Sequence, residues 1–192
     1  MKKRLLSAAL AVMILALFAY GTTAYINAEG RATNVITTGE LKMSLTEESG
    51  EGIPIENEQG VVTGLKFENV VPSQTVEKKP IVTNEGTQDF YLRVRIEKSF
   101  SDPNLSADVI ETDGPDSAHW IAGKDGWYYY NVPLTAGDSA VVFEHVTFSP
   151  QMGNEYQGAE AEVSVLAQGV QAKNNPIPEG GNVSDITGWP QA

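Results

Sequence analysis

Residues 88–98 read QDFYLRVRIEK, and in them Phe90, Leu92, Val94 and Ile96 alternate with Tyr91, Arg93, Arg95 and Glu97. Successive side chains of an extended chain leave on opposite faces, so this stretch predicts a β-strand with one face turned to a core. Just upstream, Ser73 to Thr83 (SQTVEKKPIVT) runs into Asn84-Glu85-Gly86-Thr87, a turn composition. The two arms predict a β-hairpin in which Gly86 supplies the positive φ that such connections often need. Pro80 has no N–H to give to a ladder, which predicts an edge strand or a bulge in the first arm.

Outward from this pair the same period recurs. From Val35 onward Leu41, Met43 and Leu45 share one parity, and Lys42, Ser44 and Thr46 take the other. Short apolar runs follow at Ile53–Ile55, Val61–Val62 and Leu65–Phe67. Residues 101–117 (SDPNLSADVIETDGPDS) are rich in Asp, Pro and Gly around a small apolar island, Val109–Ile110, and read as a surface excursion. His119 to Tyr130 predicts a hairpin with aromatics on both faces. Leu134–Ser139 is a turn, and Val141–Phe148 is a strand whose parity slips around Glu144-His145, as a bulge would make it. Ala161 to Ala172 carries apolar residues on both faces, the mark of a strand well inside a sheet. About seven or eight strands and no convincing amphipathic helix predict an all-β chain: an antiparallel β-sandwich, jelly-roll or immunoglobulin-like.

The start of the chain carries a different signal. Lys2, Lys3 and Arg4 precede an apolar segment, Leu5 to Ala19, and Thr22-Thr23-Ala24 offers small residues for a signal peptidase. Those small residues place the expected cut between Ala24 and Tyr25, and the apolar run falls short of the ~20 residues that span a bilayer, which argues against a retained anchor. The expected organisation is a signal peptide at 1–24, an extension at 25–34, a sandwich at 35–172 and a flexible Pro/Gly-rich tail at 173–192 in which Ile186 and Trp189 dock. Removing 24 of the 192 residues leaves 168, a size suited to one domain. The formal net charge of −12 argues against nucleic acid and anionic lipid as partners, since both require a cationic face. An exported chain without cysteine must hold together by core packing or subunit contacts.

Four stretches together resemble one family. GTTAYINAEGRATNVITTGELKMSL (21–45), PSQTVEKKPIVTNEGTQDFYLRVRIEK (72–98), GWYYYNVPLTAGDSA (126–140) and NEYQGAEAEVSVLAQGVQAKNN (154–175) are similar, in content and order, to the TasA and camelysin group of exported bacterial matrix proteins. The resemblance covers nearly the whole chain. It implies maturation by a dedicated signal peptidase, a jelly-roll-like sandwich, and assembly into extracellular biofilm matrix fibres outside a Gram-positive-type bacterium. It also implies that the polar segment freed by cleavage, Tyr25-Ile26-Asn27-Ala28 onward, is the donor strand. An extended peptide satisfies the open backbone groups of a sheet edge on another subunit, and Tyr25 and Ile26 are its expected anchors. The partners so implied are other copies of the chain, the signal peptidase, and an accessory matrix protein or polysaccharide.

Rival chemistries have weaker residue patterns. One branch of the family is described as a casein-cleaving metalloprotease, but the two histidines, His119 and His145, do not form the HExxH pair that brings two imidazoles to one zinc. Without cysteine there is no Cys-His site, and no cofactor is implied; the expectation is a protein that is not an enzyme. Asp102, Asp108, Asp113 and Asp116 crowd one loop with the oxygen ligands calcium prefers, though not at EF-hand spacing. Trp120, Trp127 and Tyr129 are candidates for stacking on sugar rings.

Overall fold

The computed structural model describes residues 41–48, 52–56 and 62–190. The leader 1–24, the cleavage residues Thr22, Ala24 and Tyr25, the extension 25–34 with Tyr25, Ile26, Asn27 and Ala28, and the expected strand start at Val35 lie outside the described residues. The described chain forms twelve strands: β1 (Met43–Glu48), β2 (Ile53–Glu56), β3 (Val62–Phe67), β4 (Thr75–Glu77), β5 (Lys79–Asn84), β6 (Phe90–Phe100), β7 (Ile110–Thr112), β8 (Trp120–Ala122), β9 (Tyr128–Tyr130), β10 (Ser139–Val141), β11 (His145–Phe148) and β12 (Ala161–Gln171). Only short 3₁₀ turns accompany them. None of the described helices is long and apolar enough to cross a membrane.

The strand at 88–98 is the spine. β6 and β12 pair antiparallel over eleven positions, from Phe90 opposite Gln171 to Phe100 opposite Ala161. They sit at the centre of a six-stranded sheet of order β2-β3-β12-β6-β9-β8. The inner residues of β6 and β12 (Phe90, Leu92, Val94, Val163, Val165, Ala167) share one core with Met43, Val76, Val82, Ala140, Val146 and Phe148 from the other two sheets. Each of the larger of these side chains, Val, Leu, Met or Phe, withdrawn from water stabilises the fold by about 1.5–3 kcal/mol. The described residues form an all-β antiparallel sandwich.

The second layer consists of two short sheets, β1-β5-β10 and β4-β11-β7. Only Lys78 separates β4 from β5. Glu77 faces His145 on one side of the gap and Ile81 faces Val141 on the other, four positions apart on both strands. The ladder therefore opens around Lys78 and Glu144 without gaining a residue, which corrects the expected bulge. The Lys78 N–H still donates to the Glu144 carbonyl at 3.0 Å. Such interruptions, and three-residue strands too short for a periodicity to show, explain twelve segments where seven or eight were expected.

Two further expectations change. The arms 73–83 and 88–98 are not a hairpin: β5 pairs with β1 and β10, and β6 with β12 and β9, so residues 85–89 cross between layers. Asn84 makes the corner. Its buried amide donates to the carbonyls of Leu134 (2.8 Å) and Gln88 (3.0 Å), and its oxygen accepts from the Gly86 N–H (3.0 Å). Gly86 is not among the glycines with positive φ. Nor is Pro80 on an edge, since β5 lies between β1 and β10. The excursion at 101–117 contributes β7, whose Ile110 is buried in the core.

The segment after β12 is folded rather than loose. Val183, Ile186 and Trp189 are buried with Tyr91, Trp127, Tyr129 and Val170 in a second cluster on the outer face of the six-stranded sheet. A 3₁₀ turn, Val183–Asp185, is fastened by a capping box: Asn182 accepts from the Ser184 N–H and Asp185 from the Asn182 N–H. Pro and Gly composition suggested flexibility, but three apolar residues spaced by three supply the contacts that fix the segment.

Candidate functional site

Between the β2–β3 end of the six-stranded sheet and β4 a groove of about 280 Å³ opens, lined by Gly52, Ile53, Lys66, Phe67, Glu68, Gln74 and Val76. Its floor is the buried pair Phe67 and Val76, and its rim carries Ile53, which is 48% exposed. β2 stands at one end of the six-stranded sheet, and β4 at one end of its own sheet. Gly52 has φ +98°, and a Cβ there would lie 2.9 Å from the Phe67 ring, so glycine keeps the entrance open. Lys66 bridges Glu68 (3.0 Å) and Glu160 (3.1 Å), and these hydrogen bonds raise its pKa. An apolar slot beside sheet edges and a charged rim suits an extended segment with one or two apolar anchors.

The expected glycan platform does not exist in this form. Trp120 is 4% exposed, Trp127 3% and Tyr129 2%. Trp120 faces the main core, while Trp127 and Tyr129 belong to the second cluster beneath the C-terminal segment, so none presents a ring to a sugar. β8 and β9 do form the expected hairpin, with Trp120 opposite Tyr130.

The acidic loop is also dispersed. Asp102 accepts from the backbone N–H and side-chain amide of Asn104, and Asp108 accepts from the Ser106 hydroxyl. Asp116 binds the N–H groups of Ala118 and His119 and sits 3.1 Å from His119 Nδ1. Asp113 reaches across to the N–H groups of Glu144 and His145 and lies 2.7 Å from His145 Nδ1. Among the described residues no three His, Cys, Asp or Glu side chains are grouped to hold a metal ion. The calcium set therefore separates: Asp102, Asp108 and Asp116 bond within their own turns, Asp113 bonds across to residues 144 and 145, and each histidine pairs with its own aspartate.

Two buried charged groups escaped the reading of the sequence. Arg93 leaves the outer face of β6, as its parity requires, but the C-terminal segment covers it. Its Nε and Nη2 donate to Gln168 Oε1 at 2.9 and 2.6 Å, and Nη2 also donates to the Pro190 carbonyl at 2.7 Å. The guanidinium lies 4.2 Å from the Trp127 ring centroid and 5.0 Å from that of Trp189. The Tyr129 hydroxyl donates to Asp125 at 2.6 Å. Burial, and then the Asp125 carboxylate, raise the Tyr129 pKa. The second group is an ion pair in the core, Lys78 Nζ to Glu47 Oε1 at 2.6 Å, with side chains 0% and 2% exposed. Alternation alone places Glu47 inward with Met43 and Leu45, and Lys78 inward with Val76 and Val82, which was the legible signal.

No family model matches the chain, and no curated protein matches it significantly.

Proposed function

We propose that the protein is an exported structural subunit of an extracellular matrix, assembling into fibres by adding the freed N-terminal segment of one copy to a sheet edge of the next. The observation that carries this reading is the groove between the β2–β3 end of the six-stranded sheet and β4, with Phe67 and Val76 on its floor and the terminal strands β2 and β4 beside it. An extended segment turns one of the neighbours Tyr25 and Ile26 into such a slot, and in this reading its backbone runs alongside the terminal strands β2 and β4. The resemblance of four sequence stretches to the TasA and camelysin group supports the same reading, including cleavage before Tyr25 and a place at the cell surface. Neither the metalloprotease nor the polysaccharide alternative gains a comparable site: the histidines stand in separate pairs and the candidate stacking rings are buried.

The test is negative-stain microscopy of protein beginning at Tyr25 beside protein beginning at Ala32. Filaments from the first alone are expected, and a peptide of residues 25–34 added in excess caps the acceptor and shortens them. Ile53→Asp, an exposed change at the groove rim, should have the same effect as the peptide. Equal filaments from both forms, or none from either, overturns the proposal.

A further inference from the structure

The Glu47–Lys78 pair is unusual in what it lacks. A buried ion pair repays its desolvation only when the remaining lone pairs and protons find partners. Here, among the described residues, Glu47 Oε2 is buried with no hydrogen-bond partner. The ammonium has the Glu47 oxygen at 2.6 Å and the face of the Phe143 ring, whose centroid is 5.9 Å away. An orphaned carboxylate oxygen in a core calls for an explanation.

We propose that Glu47 and Lys78 are joined by an intramolecular isopeptide bond that forms in the folded sandwich. The two groups are held in contact by neighbouring strands, β1 and the β4–β5 junction, and the carboxyl carbon lies one bond beyond the oxygen that Nζ touches. Fixing two reactants in this way replaces an intermolecular encounter with an intramolecular step. Burial favours the uncharged forms: it pushes the Lys78 amine down and, against the pull of that amine, the Glu47 carboxyl up. A proton passes from Nζ to Oε1, leaving a neutral amine and a neutral acid. The nitrogen lone pair attacks Cδ and the Nζ–Cδ bond forms. Oε1 takes a second proton from the nitrogen, the Cδ–Oε1 bond breaks, and Oε1 leaves as water, while Oε2 remains as the amide carbonyl oxygen. Nothing is oxidised or reduced and no co-reactant is needed. The product replaces two buried charges with one neutral amide, and an unpaired amide oxygen costs less than an unpaired carboxylate oxygen. In a chain without cysteine this bond ties β1 to β4–β5 covalently.

Intact mass under denaturing conditions decides the matter without relying on a variant that must fold. The expected result is a protein lighter than its sequence by one water, and tandem mass spectrometry of a tryptic digest that finds a branched peptide joining Glu47 to Lys78. Trypsin should not cleave after Lys78. Lys78→Met and Glu47→Ala should restore the full mass. A wild-type mass equal to that of the sequence, or a water loss that maps to Asp113-Gly114 or Asp125-Gly126, overturns the proposal. The readout is independent of whether filaments form.

Discussion

Arg93 shows what a single side chain decides here. Its fork satisfies Gln168, holds the end of the C-terminal segment through the Pro190 carbonyl, and lies between two indole rings. Arg93→Ala leaves the buried Gln168 oxygen unpaired and is expected to cost about 3 kcal/mol, read as a lower urea midpoint. Arg93→Lys keeps the charge but not the planar fork, and should fall between the two. The Asp113–His145 pair acts through protons instead. Partial burial raises the Asp113 pKa, but the N–H groups of His145 and Glu144 and the imidazole outweigh it and bring it below 3.8. The hydrogen bond to Asp113 raises His145 above 6.5. The Asp113 contribution is present above pH 3.8 and fades as pH falls through its lowered value; that of His145 is complete below pH 6.5 and fades as pH rises through its raised value. The pair therefore supports the fold most between those limits. Asp113→Asn should return the His145 titration, followed by NMR, towards 6.5.

Among the elements, the C-terminal segment and the corner at Asn84 are those whose removal the fold should register. A chain ending at Asn182 loses Val183, Ile186 and Trp189 and uncovers Tyr91, Trp127, Tyr129 and Val170. Burial at about 1.5–3 kcal/mol for each large apolar side chain makes this one of the larger losses available outside the main core. A lower melting temperature and binding of an apolar dye are expected, with the β spectrum retained. Asn84→Ala removes the donor to the Gln88 carbonyl, one of the two donors to the Leu134 carbonyl and the acceptor of the Gly86 N–H where the chain changes layers, at an expected cost of about 2 kcal/mol in urea unfolding. These elements were only partly legible. Tyr91, Arg93 and Arg95 were placed correctly on the outer face of β6 by alternation, but nothing in a period-two pattern states that a segment ninety positions later covers that face. Local turn chemistry at residues 84–87 was likewise readable, whereas whether the turn joins neighbours in one sheet or crosses between two depends on pairings made far away.

At the scale of the whole molecule the dominant quantity is charge. With a net charge of −12, copies of the chain repel one another, and cleavage before Tyr25 removes three further positive charges with Lys2, Lys3 and Arg4. Assembly by strand addition rests on short-range backbone bonds and apolar anchors, so screening should help it. Filaments of the protein beginning at Tyr25 are expected to appear faster as salt rises to ~0.15 M, where the Debye length is about 8 Å. Light scattering against ionic strength follows this, and slower assembly with added salt would mean that attraction between charges drives the contact.

By itself the sequence determined that the described chain is all β, that residues 88–98 and 161–172 form strands, and which side of the first faces a core, because alternation is written in neighbouring residues and does not depend on what lies across the sheet. The tertiary structure alone decided which strands pair, where the layers part to form the groove, that Asp102, Asp108, Asp113 and Asp116 scatter, and that Trp120, Trp127 and Tyr129 are buried. Those outcomes rest on contacts between residues tens of positions apart, and such contacts are set by the packing of whole layers rather than by any local pattern.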